Sequence, residues 1–116
     1  MKTPKQDPVY TPKPWGGEFL YCEIPPYYVL KKLCIMQGHR FSLQYHPKKV
    51  ESWLVVKGKV EIVYNDQTFQ AVPGDFIHVP TGTKHRLKAL ENAEIIEVSS
   101  PHLADIVRLE DDYNRI

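Results

Sequence analysis

The chain has 116 residues and a mass of 13.5 kDa, which is the size of one domain. Its 15 basic residues nearly balance its 14 acidic ones, and the formal charge of +1 argues against a nucleic-acid-binding protein, which would carry a basic excess. No apolar run approaches the ~20 residues that cross a bilayer, and the N-terminus lacks the apolar stretch of a secretory signal. These features predict a cytoplasmic protein that binds neither nucleic acid nor membrane.

The cysteine pattern agrees with a cytoplasmic location. The chain has two cysteines, Cys22 and Cys34, which lie inside apolar segments and lack the spacing of a CxxC motif. We interpret them as reduced, small core residues. A disulfide between them is the alternative.

The N-terminal region is rich in proline. Residues 1–14 contain Pro4, Pro8, Pro12 and Pro14. Proline removes backbone donors and favours polyproline II, so this region is predicted to be an extended arm rather than a strand or a helix. Such an arm packs along its own domain or crosses to a second subunit.

Residues 15–100 are predicted to form a β-domain. Short β-rich runs alternate with turn signals such as Asn65-Asp66 and Pro73-Gly74, and no sustained helical period occurs before residue 100. This pattern is typical of an all-β sandwich or a closed barrel, with Trp53 and Phe76 expected in the core. In the tail, residues 101–116, the acidic segment Ala104–Ile116 is expected to hold a short helix or turn. The predicted strands are Phe19–Ile24, Tyr28–Met36, Phe41–Tyr45, Ser52–Lys57, Lys59–Tyr64, Thr68–Val72, Phe76–Val79, His85–Ala89 and Glu94–Val98.

Polar side chains with metal-binding chemistry recur on three of these predicted segments. Alternate residues of a strand share a face, so Gln44 and His46 lie in phase with each other. Glu51 opens a second in-phase set, and His85 opens a third strand. Imidazole nitrogen and carboxylate oxygen are suitable ligands for a divalent cation. Each residue alone fits an ordinary surface position, but together they predict one metal site.

The spacing of these residues resembles the two motifs of the cupin superfamily. The first is Gly-x5-Gln-x-His-x4-Glu-x6-Gly over residues 38–58, and the second is Gly-x5-Pro-x-Gly-x2-His over residues 74–85. The likeness to one cupin family, the isomerase domain of type II phosphomannose isomerases, extends over nearly the whole chain after Lys13. Its segments are KPWG at 13–16, FSLQYH at 41–46, ESWLVVKG at 51–58, PTGTKHRL at 80–87, IIEV at 95–98 and DIVRLEDDYNR at 105–115.

The resemblance implies a fold, a metal site and an activity. The fold would be a single-domain cupin, which is a double-stranded β-helix or jelly-roll barrel. Gln44, His46, Glu51 and His85 would bind one divalent ion such as Zn, Mn, Co or Ni. The expected activity is a metal-dependent aldose–ketose isomerase of a sugar phosphate, best guess mannose-6-phosphate to fructose-6-phosphate. In many bacteria this domain ends a bifunctional enzyme, but 116 residues leave no room for the guanylyltransferase half.

Isomerisation also needs groups that move protons. Lys49 lies two residues before Glu51, so an extended chain would turn it toward the metal, where a nearby cation is expected to lower its pKa. Glu97, in phase with Ile95 on the last predicted strand, is the second candidate base. Ordinary surface or structural roles are the alternatives for both residues.

Three basic residues are candidates for binding the substrate phosphate. Lys31 faces the barrel interior if Val29 and Leu33 do so. Arg86 follows His85 and therefore points away from the metal, which suggests a residue at the rim. Arg108 lies in the family-like tail. Each of the three is otherwise an ordinary charged residue of the surface or of an interface.

The chain departs from the family pattern at several positions, and two other functions compete. The family usually has Arg at the position of Lys49, His at the position of Ser52 and Asn at the position of Ala89.

A non-catalytic metal- or sugar-binding cupin is the first alternative. A redox cupin such as an oxygenase is the second, although Gln44 disfavours it because most cupin dioxygenases have His there. Cupins commonly dimerise, so the resemblance also implies a homodimer.

Overall fold

The computed structural model describes residues 3–102 and 104–116; residues 1 and 2 of the predicted arm and residue 103 of the predicted tail lie outside this part. Eleven strands and no helix occur in the described residues. The strands are β1 (Val9–Lys13), β2 (Gly16–Ile24), β3 (Tyr28–Ile35), β4 (Leu43–Tyr45), β5 (Glu51–Lys57), β6 (Val60–Tyr64), β7 (Gln67–Ala71), β8 (Phe76–Val79), β9 (His85–Ala89), β10 (Ala93–Ser99) and β11 (Val107–Glu110). The all-β prediction is therefore confirmed.

The strands form two antiparallel sheets. One sheet has six strands in the order β1-β2-β3-β10-β5-β8, and the other has five in the order β11-β4-β9-β6-β7. Consecutive strands often belong to different sheets, because β4 and β9 lie in the second sheet while β5 and β10 lie in the first. This crossing between the sheets brings residues from distant parts of the chain into one interior space.

Alternating side chains build the core between the sheets. On β5, Trp53 and Val55 are buried, whereas Leu54 and Val56 are about 40% exposed on the outer face. Trp53 shares one core cluster with Ile62 and Leu87 of the five-stranded sheet, which are fully buried. Each such side chain contributes roughly 1.5–3 kcal/mol through burial. The two-residue period of the sequence thus separates the interior from the surface.

The prediction of an N-terminal arm without a strand is wrong, and the tail holds a strand in addition to its predicted turn. Residues 9–13, expected to be an arm outside any strand, form β1 and pair with β2 from Val9↔Leu20 to Lys13↔Gly16. Pro12 is tolerated there because β1 is an edge strand and one side of it needs no partner. The tail, expected to hold a helix or turn, forms β11 and pairs with β4.

Two glycines allow turns that other residues would strain. Gly58, between β5 and β6, has φ +80°, and a Cβ there would lie 2.2 Å from the carbonyl oxygen of Asn92. Gly74 has φ +96°, which agrees with the second central position predicted for the Pro73-Gly74 turn. Glycine is therefore required by close approach at the first turn and by backbone conformation at both.

Other details correct or complete the sequence analysis. Cys22 and Cys34 are free thiols, as predicted, but they are half-buried and lie outside the core. Phe76, expected in the core, is 64% exposed. Within residues 3–102 and 104–116, no helix is long and apolar enough to cross a membrane.

Candidate active site

Three buried side chains from different parts of the chain meet between the sheets. Glu51 opens β5 of the six-stranded sheet, His85 opens β9 of the five-stranded sheet, and His46 follows β4. Oε1 of Glu51 lies 3.0 Å from Nε2 of His85 and 3.5 Å from Nε2 of His46. All three side chains are at most 3% exposed. The cluster is therefore shielded from bulk water.

Hydrogen bonds orient both imidazole rings toward one point. Nδ1 of His85 donates to the carbonyl oxygen of Thr83 at 2.8 Å, and Nδ1 of His46 donates to the carbonyl oxygen of Asp105. This tautomer leaves the Nε2 lone pairs facing Glu51. Nε2 of His85 is buried and has no hydrogen-bond partner among the described residues. A lone pair 3.0 Å from a carboxylate oxygen is the arrangement that a cation between them would stabilise.

Gln44 lies beside this cluster. Its amide Nε2 is 3.4 Å from Nε2 of His46, and its Oε1 accepts a hydrogen bond of 2.6 Å from the Ser42 hydroxyl. Because the amide oxygen and nitrogen differ only by half a turn of the terminal bond, the oxygen can also face the cluster. In the sheet, Gln44 is the direct partner of His85.

These residues fit a divalent metal ion. The ligand atoms of His46, Glu51 and His85 all lie within 4.8 Å of one another. Two imidazoles, one carboxylate and one amide oxygen are suitable for Zn, Mn, Co or Ni. One carboxylate against a doubly charged ion leaves a site charge of +1, which attracts anionic ligands.

A cavity of about 140 Å³ opens onto the cluster. The six-stranded sheet supplies Lys31 and Glu97 to its wall, and the five-stranded sheet supplies Gln44 and Arg108. Arg108 on β11 is the direct partner of Gln44 on β4, so the tail strand brings a basic residue next to the cluster. The cavity is lined by Lys13, Trp15, Glu18, Lys31, Leu33, Phe41, Gln44, His46, Lys49, Glu51, Glu97, Ile106, Arg108 and Arg115.

Two candidate proton-transfer residues, Lys49 and Glu97, line this cavity. Nζ of Lys49 lies 3.3 Å from Oε2 of Glu51, and the lysine is only 7% exposed. Glu97 is 6% exposed and accepts a hydrogen bond of 3.3 Å from Nε1 of Trp53. Lys49 therefore faces the interior as an extended chain would require, and Glu97 is held in place by the core.

Burial and neighbouring charges shift the pKa values of Lys49, Glu51 and Glu97. Burial, together with the charge of Glu51, raises the pKa of Glu97 to about 8. Burial opposes ionisation of Glu51, but the polar side chains of His46, His85 and Glu97 beside it and the charge of Lys49 hold its pKa well below the usual range. Among the described residues, one buried carboxyl therefore favours the protonated form and its neighbour the ionised form.

The structure differs from the expectation that the Lys49 pKa is lowered. Burial does lower it, but the charges of Glu97 and Glu51 raise it more, so the pKa of Lys49 lies above its ordinary value. The sequence argument considered a cation beside Lys49 and did not include two carboxylates beside it. The protein groups themselves therefore favour the ammonium form.

Arg86 lies outside this cavity. Its Nε donates to the carbonyl oxygen of Phe41 at 3.0 Å, and its Nη2 donates to the carbonyl oxygen of Glu110 at 3.1 Å. Arg86 is 7% exposed, so the rim position expected from the sequence is wrong. These two hydrogen bonds connect Phe41, which lies just before β4, to Glu110 at the end of β11.

Sequence reasoning missed several residues of this site. Glu18 lies 3.3 Å from Nζ of Lys31, and Arg115 reaches the cavity from beyond β11. Asp105 holds the loop of His46 and Lys49, because its carboxylate accepts the backbone amides of Lys48 and Lys49 at 2.6 and 2.9 Å. Asp105 and Arg115 had a sequence signal, since both lie in the family-like tail segment, whereas Glu18 had none.

A larger cavity of about 360 Å³ lies elsewhere, at one end of the six-stranded sheet. Tyr10, Met36 and Asn92 are among its lining residues. The described residues around it bring no group of metal-ligating side chains together. The smaller cavity is therefore the better candidate for an active site.

Solved structures with the same architecture define the class of protein. KdgF from Halomonas superimposes with a TM-score of 0.74 and 21% identity, covering 81% of this chain and 88% of that chain. Pac13 from Streptomyces, described as a nucleoside dehydratase, gives a TM-score of 0.81 and 17% identity over 96% of this chain and 93% of its own. Together with the two antiparallel sheets, these likenesses show that the chain has the same fold as KdgF and Pac13.

The family follows from the sequence comparison. Residues 3–111 match the model of the family described as Mannose-6-phosphate isomerase C-terminal, and the chain belongs to this family. XanB, a xanthan biosynthesis protein of Xanthomonas campestris, is 32% identical over 89% of this chain. AlgA, an alginate biosynthesis protein of Pseudomonas aeruginosa, is 33% identical over the same share. The chain spans only 23% and 22% of these two relatives.

Proposed function

We propose that the protein is a metal-dependent aldose–ketose isomerase that acts on a sugar phosphate, with mannose-6-phosphate and fructose-6-phosphate as the preferred pair. The observation that carries this proposal is the meeting of the His46, Glu51 and His85 ligand atoms at a cavity that Lys49 and Glu97 line. Membership in the Mannose-6-phosphate isomerase C-terminal family supports the choice of substrate.

The reaction moves a proton between two neighbouring carbons. An aldose becomes a ketose when C2 loses a proton, C1 gains one, and the hydroxyl proton moves from O2 to O1. A divalent ion bound by Gln44, His46, Glu51 and His85 would polarise these two oxygens and stabilise negative charge on them. The protein must then supply the groups that accept and return the protons.

Lys49 and Glu97 are suited to this proton transfer by position. Both line the cavity next to Glu51, and both are nearly inaccessible to bulk water. In this proposal the ionised form of Glu97, whose pKa is about 8, accepts the carbon-bound proton, and the ammonium group of Lys49 donates to the sugar oxygen. Such general acid–base help is worth roughly 10²–10⁴ in rate. Water exclusion keeps the transferred proton near the substrate.

Lys31 and Arg108 are proposed to bind the substrate phosphate. Both residues line the cavity, one from each sheet. Arg108 is adjacent to Gln44 in the sheet, so a substrate held by its guanidinium has its carbon chain within the same enclosure as the metal ligands. Arg86 is not proposed to bind the phosphate, because its guanidinium donates hydrogen bonds to two backbone carbonyl oxygens.

A coupled assay that converts fructose-6-phosphate to a measured product tests this function. The metal-loaded protein is expected to interconvert the two sugar phosphates, and the chelated protein and Glu51→Gln are expected to lose at least about 99% of the rate. His78→Ala is a matched control, since His78 lies on β8 and its side chain is hydrogen-bonded to Ser52, outside the cavity. No turnover by the metal-loaded protein with any hexose or pentose phosphate would contradict the proposal.

One observation favours a second function. Lys49 stands where the resembled family usually has Arg, and this position lies 3.3 Å from Glu51. The protein would then be a sugar- or metal-binding cupin without turnover. Saturable binding of mannose-6-phosphate by a protein that produces no fructose-6-phosphate would support this second function. Oxygen consumption by the Fe(II)-loaded protein would instead indicate a redox cupin.

A further inference from the structure

The two histidines of the buried cluster are oriented by different parts of the chain. His85 is oriented locally, because Nδ1 of its ring donates to the carbonyl oxygen of Thr83, two residues earlier. Nδ1 of His46 donates to the carbonyl oxygen of Asp105, which lies 59 positions later in the chain and just before β11. The orientation of the His46 ring therefore depends on the tail, whereas that of the His85 ring depends on its own segment.

The side chain of Asp105 connects the tail to the loop that carries His46. This ligand loop, residues 46–50, joins β4 to β5. Oδ2 of the Asp105 carboxylate accepts the backbone amides of Lys48 and Lys49 at 2.6 and 2.9 Å. One half-buried residue of the tail thus bonds both to the ring of the histidine and to the backbone that follows it. A shift of Asp105 would change both contacts together.

The carboxylate of Asp105 anchors a segment whose own backbone bonds are local. β11 begins at Val107, two residues after Asp105. The amides of Asp105 and Ile106 donate to the carbonyl oxygens of His102 and Ala104, both at 3.1 Å. Those acceptors belong to the same turn and do not attach it to the barrel. The position of the Asp105 carbonyl group therefore depends on the bonds of its carboxylate to the ligand loop.

The ligand loop itself has further attachments to the barrel. The carbonyl oxygen of His46 accepts the amide of Gly82 at 2.9 Å. At the other end of the loop, the amide of Val50 donates to the hydroxyl of Ser100 at 3.1 Å, and the amide of Ser100 donates back to the carbonyl oxygen of Val50 at 3.0 Å. Loss of the Asp105 carboxylate should therefore disturb the ring of His46 more than the fold.

We propose that Asp105 is a positioning residue that fixes the ring of His46 for the metal ion, so that the tail of the chain controls the metal affinity of the cavity. A hydrogen bond from Nδ1 keeps the proton on that nitrogen and leaves Nε2, which lies 3.5 Å from Oε1 of Glu51, free to act as a ligand. The inference rests on the metal site of the proposed function and is independent of the sugar and of turnover.

Calorimetric titration of the metal-free protein with Zn(II) tests the control of affinity. Asp105→Ala is expected to weaken zinc binding by about 10–100-fold, which is the usual effect of removing a group that orients a ligand. Asp105→Asn should restore the affinity to within about threefold of wild type, because its amide oxygen can accept the same two backbone amides as Oδ2 does.

Asp75→Ala is the matched control for this titration. The carboxylate of Asp75 also accepts a backbone amide, that of Val72 at 2.9 Å, but Asp75 lies in the turn between β7 and β8 and does not line the cavity. Its loss is expected to change zinc affinity by less than about twofold, because it orients no ligand. Thermal unfolding of each variant checks that the metal-free protein is folded at the temperature of the titration.

The tautomer of His46 is a second measurement, which a purely structural role of Asp105 would not change. Long-range ¹H–¹⁵N NMR of the metal-free protein, at a pH where both imidazoles are neutral, should show the proton on Nδ1 of His46 in wild type and Asp75→Ala. In Asp105→Ala we expect a mixture of the two tautomers of His46, with His85 unchanged. A proton on Nε2 of His46 in the wild-type protein would overturn the inference, and this result needs no variant.

Two results of the titration would also overturn the inference: zinc binding by Asp105→Ala as tight as by wild type, and equal losses in Asp105→Ala and Asp75→Ala. Asp105-dependent zinc binding by a protein that turns over no sugar phosphate would contradict only the proposed function. Metal-dependent turnover by a protein whose zinc affinity does not change in Asp105→Ala would contradict only this inference.

Discussion

Nε2 of His85 lies 3.0 Å from Oε1 of Glu51, although the two residues belong to different sheets. Glu51 begins β5 and His85 begins β9, 34 positions later in the printed sequence. The two sheets therefore meet at a polar contact at this point, within an interior that is otherwise largely apolar. A polar contact this deep needs compensation, and a cation bound between the two side chains would supply it.

Removal of a metal ligand should abolish metal binding without unfolding the protein. Glu51→Gln keeps the shape of the side chain but removes the charge that attracts the cation. We expect the metal content, measured by elemental analysis, to fall from about one ion per chain to less than about a tenth. Wild-type protein should also melt at a lower temperature after chelation. Equal metal content in Glu51→Gln and wild type would contradict the metal site, and His78→Ala provides the control.

The acid–base pair should affect turnover rather than metal content. Glu97→Gln keeps an oxygen that can accept the Trp53 hydrogen bond but cannot exchange a proton at neutral pH. We expect kcat to fall by about 10²–10⁴ while metal content stays unchanged. Lys49→Met should behave similarly, whereas Lys49→Arg, which keeps the charge beside Glu51, should retain more activity. A wild-type kcat in Glu97→Gln would exclude that residue from proton transfer.

Arg86 should contribute to stability and not to substrate binding. Arg86→Gln leaves the carbonyl oxygens of Phe41 and Glu110 without their donors in a nearly buried place. We expect the free energy of unfolding to decrease by about 2–3 kcal/mol, measured by urea denaturation, with an unchanged KM for the sugar phosphate. The exposed pair of Arg40 with Asp112 should be worth only about 0–1 kcal/mol in the same assay. An increased KM in Arg86→Gln at full stability would restore the role expected from the sequence.

The pair of Asp111 with Arg115 should make stability depend on pH. Hydrogen bonds from Arg115 lower the pKa of Asp111 to about 2, below its ordinary value of 3.8. Because the folded state holds the proton less tightly than the unfolded state, the pair stabilises the fold fully above about pH 5. This contribution is lost as the pH falls through about 4 to about 2.

Urea denaturation of wild type and Asp111→Asn at several pH values checks this dependence. The difference in free energy of unfolding between the two proteins should be about 1–2 kcal/mol larger at pH 6 than at pH 2. Asp66→Asn, in the exposed turn between β6 and β7, is the control. A difference that stays constant with pH would contradict an ionised Asp111 in the folded state.

Strand periodicity explains which site residues could be predicted. Gln44 and His46 share a face because they are two residues apart, and the same rule turned Lys49 toward the side of Glu51. Lys31 lines the cavity, and Val29 and Leu33 on the same face of β3 are buried, which agrees with the phase that would turn Lys31 inward. Glu18 carried no such signal, because its role depends on Lys31, which approaches it from the neighbouring strand.

The strands at the two ends of the chain, β1 and β11, were harder to predict than the others. In β5 and β9, every second residue from Trp53 to Val55 and from Leu87 to Ala89 is apolar and buried, because one face of each strand packs in the core. Both β1 and β11 lie at the edges of their sheets and bury little, so their sequences resemble loops. Their pairing is decided by the neighbouring strands β2 and β4, which offer free backbone groups.

The sequence by itself determined the all-β architecture, most strand positions and the faces on which the metal-binding side chains lie. Those features depend on residues that are close in the chain, where alternation and turn chemistry act directly. Only the tertiary structure decided that Arg86 supports the fold, that two carboxylates raise the pKa of Lys49, and that Arg115 reaches the cavity. These depend on distances between residues far apart in the chain, which the packing of the two sheets sets.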